Sequence, residues 1–378
     1  MSLGVWVRSL GAVTAAGVGV EALRQALLDP TWRPALGIER PDGEPLPVAT
    51  CSSFSPRDHL PPMVARRLDR PARLLVVAAR EALAALDELD DEARQRVGVA
   101  TGTWTAGTQA LFEVLRTVFL VSPEEAPPAQ FPATVANAPA GQLGILEHLG
   151  GPNLTFAEKQ VGGLRALAEA ARVLRGRRAE AMVAGGVDEA HWLNAESYSR
   201  LGVTAQGSRP GMTLGEGAAV LLLRPQSVDA LAQLAGWASA STPCPPYRYP
   251  DTSDAVVTAA RQALAAAGAT AGDVDLVVSF ANGMSNLAAL ETHALDELLG
   301  ARRPAALTVS TRLGEGAFSA ALRAMVATLA VAGRLDHAWT PDHLAAAGFP
   351  PLSGRARCAL VCGVAGGGSA VALVITAP

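Results

Sequence analysis

Cysteine and histidine are the residue types in which nucleophilic, acid–base or metal chemistry shows first, and both are sparse here. The four cysteines are Cys51, Cys244, Cys358 and Cys362. None forms a Cys-x-x-Cys pair and no spacing suits zinc. Four thiols in 378 residues do not make a disulfide framework. Cys358 and Cys362 stand four apart in one apolar stretch; as strand residues they face the same side and read as buried structural thiols. Cys244 sits between prolines and reads as incidental. The histidines are His59, His148, His191, His293, His337 and His343. His148, His293 and His343 have charged neighbours and read as surface residues, while His191, after Asp188-Glu189, falls short of a metal cluster. No Walker loop follows a strand and no dinucleotide fingerprint is present, so no cofactor and no metal are expected. Lys159 is the single lysine, and it stands beside Gln160.

The elements that must position these residues are apolar ones. Hydrophobic residues make up 49% of the chain and charged residues 17%, which excludes intrinsic disorder. Aromatics are 4%, so the core is aliphatic. A net charge of −4 and a pI near 5.9 argue against a nucleic-acid binder. No run of apolar residues is long enough for a membrane span, and the first residues lack a secretory-leader layout, so the expected compartment is the cytoplasm.

Strand patterns fall at 5–13, 97–102, 179–187, 217–223, 274–280, 307–310, 359–363 and 370–375, with a short strand or turn at 155–157. Helical patterns fall at 20–28, 70–89, 108–121, 137–149, 162–175, 255–267, 287–299 and 318–332. Residues 30–62 and 122–131 are Pro-rich and irregular. Alternating apolar strands and helices predict an α/β protein with a largely parallel sheet covered on both faces. GEGAAVLLL at 215–223 is echoed by GGGSAVALV at 366–374. That echo predicts two similar halves, 1–225 and 226–378, with a boundary near 224–240.

Three stretches carry a resemblance. The opening SLGAVTAAGVGVEALRQALL, the middle stretch from Phe131 to Glu189 and the closing ALVCGVAGGGSAVALVI resemble β-ketoacyl synthases over nearly the whole chain. The resemblance implies the thiolase-like fold: two similar α/β halves packed in a five-layered α-β-α-β-α arrangement. Active members use a Cys at a helix start to hold the acyl chain, and two His residues to assist decarboxylation and stabilise the oxyanion. This sequence departs at each place. Counted from Gly151-Pro152, the Cys position holds Gln160, an amide that cannot form a thioester. The strand VDLVVSF leads to Asn282 where the first His is expected. In the segment Ser310–Ala317, Arg312 is read at the family's Lys position and Ala317 at the second His. Gly366 stands where the closing turn carries a Phe.

A ketosynthase-like chain with Gln in the nucleophile position resembles the chain length factor of type II polyketide synthases. That resemblance implies no catalytic residue, a heterodimer with an active ketosynthase, an acyl carrier protein that delivers the growing chain, and an apolar tunnel of finite volume at the interface. Thr108, Leu111, Phe112 and Leu115 share one helical face, and the resemblance makes them, with Trp104, tunnel residues. Phe131, Asn137 and Gln160 are the implied interface residues; Asn137 equally reads as the N-cap of the helix that follows it. The short segment Ser208–Thr213 before Leu214-Gly215-Glu216-Gly217 leans towards a reducing, polyene-type system. Two other readings stay open: an independent thiolase-fold enzyme such as a malonyl-thioester decarboxylase, and a homodimeric acyl-binding scaffold.

Overall fold

The computed structural model describes residues 4–86, 90–207 and 209–378; the predicted end of the helix over 70–89 and Ser208 lie outside the described residues. The strands that carry the architecture are β1 (Trp6–Thr14), β2 (Val97–Gly102), β3 (Asn153–Phe156), β4 (Ala181–Asp188), β5 (Gly217–Arg224), β6 (Ala232–Ser241), β7 (Leu276–Val278), β8 (Ala305–Leu307), β9 (Cys358–Val364) and β10 (Ser369–Thr376). The longer helices are α1 (Val20–Leu28), α2 (Arg70–Leu83), α3 (Thr108–Leu120), α4 (Ala138–Leu146), α5 (Gly162–Arg175), α6 (Trp192–Arg200), α7 (Asp254–Ala267), α8 (Ser285–Leu299) and α9 (Ala317–Val331).

These strands lie in one 11-stranded sheet in the order β8-β7-β9-β10-β6-β1-β5-β4-β2-β3, with Gly17–Val18 as a hairpin partner of β1. The order repeats. From the middle outward it is β1-β5-β4-β2-β3 on one side and β6-β10-β9-β7-β8 on the other. Directions repeat as well: β5 is antiparallel to β1 and β4, and β10 is antiparallel to β6 and β9. The outer strands of both halves are parallel. The halves join at only two residue pairs, Trp6↔Gln233 and Val7↔Ala232.

Side-chain alternation assigns the layers. Along β5, Ala219, Leu221 and Leu223 enter one core with α5 and α9, whereas Ala218, Val220 and Leu222 enter a second core with α2. Along β10, Val371, Leu373 and Ile375 join the first core, whereas Ala370, Ala372 and Val374 join a third with α7 and α8. Helices α5 and α9 pack on each other and on strands of both halves. The result is the five-layered arrangement: outer helices, sheet, α5 and α9, sheet, outer helices. All 15 residues of α9 are buried, which its apolar circumference demands. On the outer layer, Asp69 starts α2 by accepting the Ala72 N–H at 3.1 Å, with Pro71 in the first turn.

The predicted elements hold in type and shift at their ends, but the expected largely parallel sheet does not hold: the five central pairings are antiparallel and only the outer ones are parallel. The strand expected at 307–310 lies at Ala305–Leu307, and Ser310–Leu313 is a helical turn. The helix expected over 137–149 is α4, ending at Leu146. The expected boundary region 224–240 holds most of β6, a central strand. Its apolar residues are interrupted by Gln233, Gly236 and Ser239, which hid the strand pattern. Helix α6 and the small strands Leu36–Ile38 and Leu46–Ala49 had no clear periodicity either.

Small residues set how closely the central layer packs. A Cβ on Gly163 would lie 2.3 Å from the Ala317 carbonyl oxygen, and one on Gly186 would lie 2.5 Å from the same atom. Backbone there cannot yield without separating α5, α9 and β4. Gly163→Ala and Gly186→Ala are each expected to cost about 1–3 kcal/mol, read as a lowered midpoint in urea unfolding at unchanged slope.

Candidate functional site

The site forms where β3 hands over to α5. Residues Lys159–Val161 make a single tight turn, and Lys159 has φ 50°, a left-handed conformation that a long side chain adopts only under constraint. The constraint comes from the second half: the Lys159 ammonium donates to the carbonyls of Pro246 and Gly366, the latter at 3.1 Å. This turn puts Gln160 directly before the N-terminus of α5. A thiol there would be acidified by the helix dipole. Gln160 gains nothing of the kind; it is buried, and its Oε1 has no hydrogen-bond partner.

Around Gln160 the second half supplies a buried polar cluster. Arg323, in the middle of α9, donates from Nη2 to the Gln160 carbonyl at 3.4 Å and from Nη1 to Ser310 Oγ at 3.3 Å. Glu315 accepts from Ser319 Oγ at 3.0 Å. Asn282 Nδ2 donates to the Tyr249 hydroxyl at 3.2 Å. Burial pushes the Glu315 carboxyl up and the Arg323 guanidinium down, and each partner's charge opposes the other's shift. Burial also pushes the Tyr249 phenol far above its ordinary range. Among the described residues no thiol or imidazole hydrogen-bonds Gln160, Arg323, Glu315, Asn282 or Tyr249, although the buried Cys362 thiol lies within electrostatic reach of Arg323. The cluster can accept and donate hydrogen bonds, and at the turn before α5 it offers the Gln160 amide rather than a nucleophile.

A cavity of about 740 Å³ opens over Gln160, walled by Trp104, Tyr198, Met212, Tyr249 and Met284. Trp104 packs edge-on against Tyr198 with ring centres 5.0 Å apart. Its loop is held by Asp188 at the end of β4. Asp188 Oδ1 accepts the N–H groups of Trp104 (2.6 Å) and Thr105 (2.9 Å), while Oδ2 accepts the Phe318 N–H (3.1 Å). One buried carboxylate therefore fixes the cavity wall and the start of α9 together.

The structure brings Gln160 and Trp104 to one cavity and Asn282 to the adjoining cluster. It sends the other sequence-identified residues elsewhere. Arg312 points away from the cluster: it donates to the carbonyls of Ala26 (3.1 Å), Asp29 (3.0 Å) and Trp32 and lies over the Trp339 ring at 3.6 Å. Burial and the nearby Arg33 lower its pKa to about 10. Ala317 is the first residue of α9, packed against Gly163 and Gly186.

Helix α3 buries Ala110 and Val114. Thr108 accepts from Asn194 Nδ2 at 3.1 Å, and Phe112 packs on His191 and Trp192 with ring centres 5.1 and 5.5 Å away. Leu111 and Leu115 are exposed in this chain. So are Phe131 and Asn137, and Asn137 makes no side-chain capping bond to α4. His343, read as a surface residue, meets the buried Glu291 at 2.7 Å. Cys358 and Cys362 are buried as expected, their thiols pushed up to about 11 and about 12 by burial. Among the described residues no group of His, Cys, Asp or Glu side chains forms a metal site. Sequence reading missed Asp188, Tyr249, Glu315 and Arg323. Only Arg323 left a signal, as the one charged residue in the run 317–331.

Glu189 couples this region to pH. It is buried, it accepts the Gln109 N–H at 3.2 Å at the start of α3, and burial raises its pKa to about 7. The folded state therefore holds this proton between about pH 4.5 and 7 while the unfolded chain has released it. Stability is fullest below that window and falls as pH rises through it, by about 3 kcal/mol in all. Glu189→Gln is expected to flatten the stability–pH curve between pH 4.5 and 7, as measured by urea unfolding.

The comparisons agree with this geometry. The family model for the β-ketoacyl synthase N-terminal domain matches residues 52–228. The actinorhodin polyketide β-ketoacyl synthase 2 of Streptomyces coelicolor is 28% identical over 326 residues, 79% of this chain and 78% of that protein. The 3-oxoacyl-[acyl-carrier-protein] synthase 2 of Staphylococcus aureus is 29% identical over 58% of this chain and 57% of that one. Among solved structures, the ishigamide ketosynthase/chain length factor superposes with a TM-score of 0.87 at 18% identity, over 100% of both chains. A ketosynthase in complex with its chain length factor from Xenorhabdus doucetiae gives 0.83 at 19% identity, over 100% of this chain and 98% of that one. Likeness at this identity speaks for the fold.

Proposed function

We propose that this chain, a member of the β-ketoacyl synthase family, is a non-catalytic chain length factor: it pairs with an active ketosynthase and limits how far a polyketide chain grows. The observation that carries the reading is Gln160 at the nucleophile turn: a buried amide directly before the N-terminus of α5, held through its carbonyl by Arg323, that cannot form a thioester. A chain built this way relies on a partner for thioester chemistry. The printed names of its relatives, a polyketide synthase subunit and two ketosynthase/chain length factor assemblies, support the same reading.

An exposed apolar face supports the partner. Phe119 (78% exposed), Leu120, Val121, Phe131, Val135 and Ile145 cluster on α3, α4 and the segment between them. Exposed apolar surface of this kind marks a protein–protein interface. In this reading Phe131 and Asn137 lie in the interface with the ketosynthase, and Gln160 lies behind it. Leu111 and Leu115 face the same partner. Phe112, backed by His191 and Trp192, is the rigid end against which a growing chain stops, with Thr108 and Trp104 beside its path. The acyl carrier protein brings the chain to the ketosynthase subunit, and the assembly works in the cytoplasm. The repeated strand order supports taking 1–225 and 226–378 as the two halves. The short segment before Leu214 supports a reducing, polyene-type system.

Co-expression with an active ketosynthase of a type II system tests this. A 1:1 complex is expected in size exclusion, and Phe131→Asp should weaken it at least about tenfold by placing a charge in an apolar contact. With malonyl-loaded carrier protein, Phe112→Ala is expected to shift the product mass upward by one or more two-carbon units. A stable homodimer that ignores the ketosynthase would overturn the proposal.

A further inference from the structure

The apolar face on α3, α4 and the segment between them carries free charge of one sign. Across residues 108–146 the acidic side chains are Glu113, Glu124 and Glu125, and Arg116 is the single basic one. Arg116 is taken up within its own helix, Nη2 standing 3.2 Å from Glu113 Oε2. Arg80, on the α2 helix that packs against α4, is held by Glu147 at 2.7 Å. Glu124 and Glu125 are exposed and, among the described residues, have no cation within ion-pair distance. They stand on the turn Pro123–Glu125, close behind the exposed Leu120 and Val121. This turn and the turn Phe131–Thr134 both pack on α3, so the two carboxylates belong to the same face as Phe131.

In a symmetric pair of this chain the same surface would lie opposite itself. Wherever Glu124 and Glu125 then fell on the second copy's face, they would find no free cation, and each apolar patch would approach the other with carboxylates on both. A different protein can place arginine or lysine there. We propose that these carboxylates choose the partner: the ketosynthase surface that covers Phe119, Phe131 and Ile145 presents unpaired arginine or lysine to Glu124 and Glu125, and the same two residues keep copies of this chain apart. The inference rests on the chain-length-factor reading and adds what its partner must present. Apolar burial holds the complex together, whereas the carboxylates set the rate of encounter and exclude the wrong partner.

The test is capture of the full chain by the ketosynthase that forms the 1:1 complex, comparing wild type with the double variant Glu124→Lys/Glu125→Lys. At about 10 mM salt the variant is expected to associate about tenfold more slowly, and the gap should close at about 1 M salt, where screening is nearly complete. Co-expression of differently tagged wild type and variant with limiting ketosynthase makes the same comparison without isolating the free chain; wild type should fill most of the complexes. The neutral variant Glu124→Gln/Glu125→Gln should self-associate more than wild type in sedimentation. A Lys variant captured as fast as wild type at low salt, or a Gln variant that self-associates no more than wild type, would overturn the inference. Neither result touches the chain-length-factor reading, which falls instead if wild type forms no complex at all.

Discussion

The molecule depends on how closely two helices can approach at the centre of the stack. Helix α9 starts against Gly163 and Gly186, and its Ala317 carbonyl leaves no room for a side chain at either position. That contact holds α5 and α9 as one layer between two sheet halves that share only two residue pairs. Everything at the site follows from it. Gln160 stands at the start of α5, Arg323 and Glu315 come from α9 and its approach, and Asp188 ties both to the loop that carries Trp104.

The polar cluster shows how charged groups stay buried beside Gln160. Buried charges are tolerated when each meets an opposite charge and hydrogen bonds. Arg323 and Glu315 balance one another, and Asn282 and Tyr249 complete the network. Gln160 Oε1 and Arg323 Nε are buried in it without a hydrogen-bond partner.

Much of the fold was legible because strands and helices with one apolar environment leave periodic patterns. Strand Val97–Gly102 and helices Val20–Leu28 and Gly162–Arg175 fall at their expected residues. Strand β6 escaped because its small and polar residues break the alternation, yet it sits beside the seam between the halves. At the site, Gln160 and Asn282 were legible because each follows a strand with a recognisable turn. Glu315 was not, since nothing in the local sequence marks a carboxyl that acts on Arg323. Asp188 and Tyr249 act through contacts between segments far apart in sequence, which no local pattern records.

Lys159 has a consequence of a practical kind. It is the only side-chain amine in the protein, and it clasps the carbonyls of Pro246 and Gly366 at the cavity rim. Reagents that acylate amines usually scatter over a protein's surface. Here they find one side-chain address, and because acylation leaves a single neutral N–H, both carbonyl contacts cannot survive it, so one modification would loosen this latch without any engineered residue.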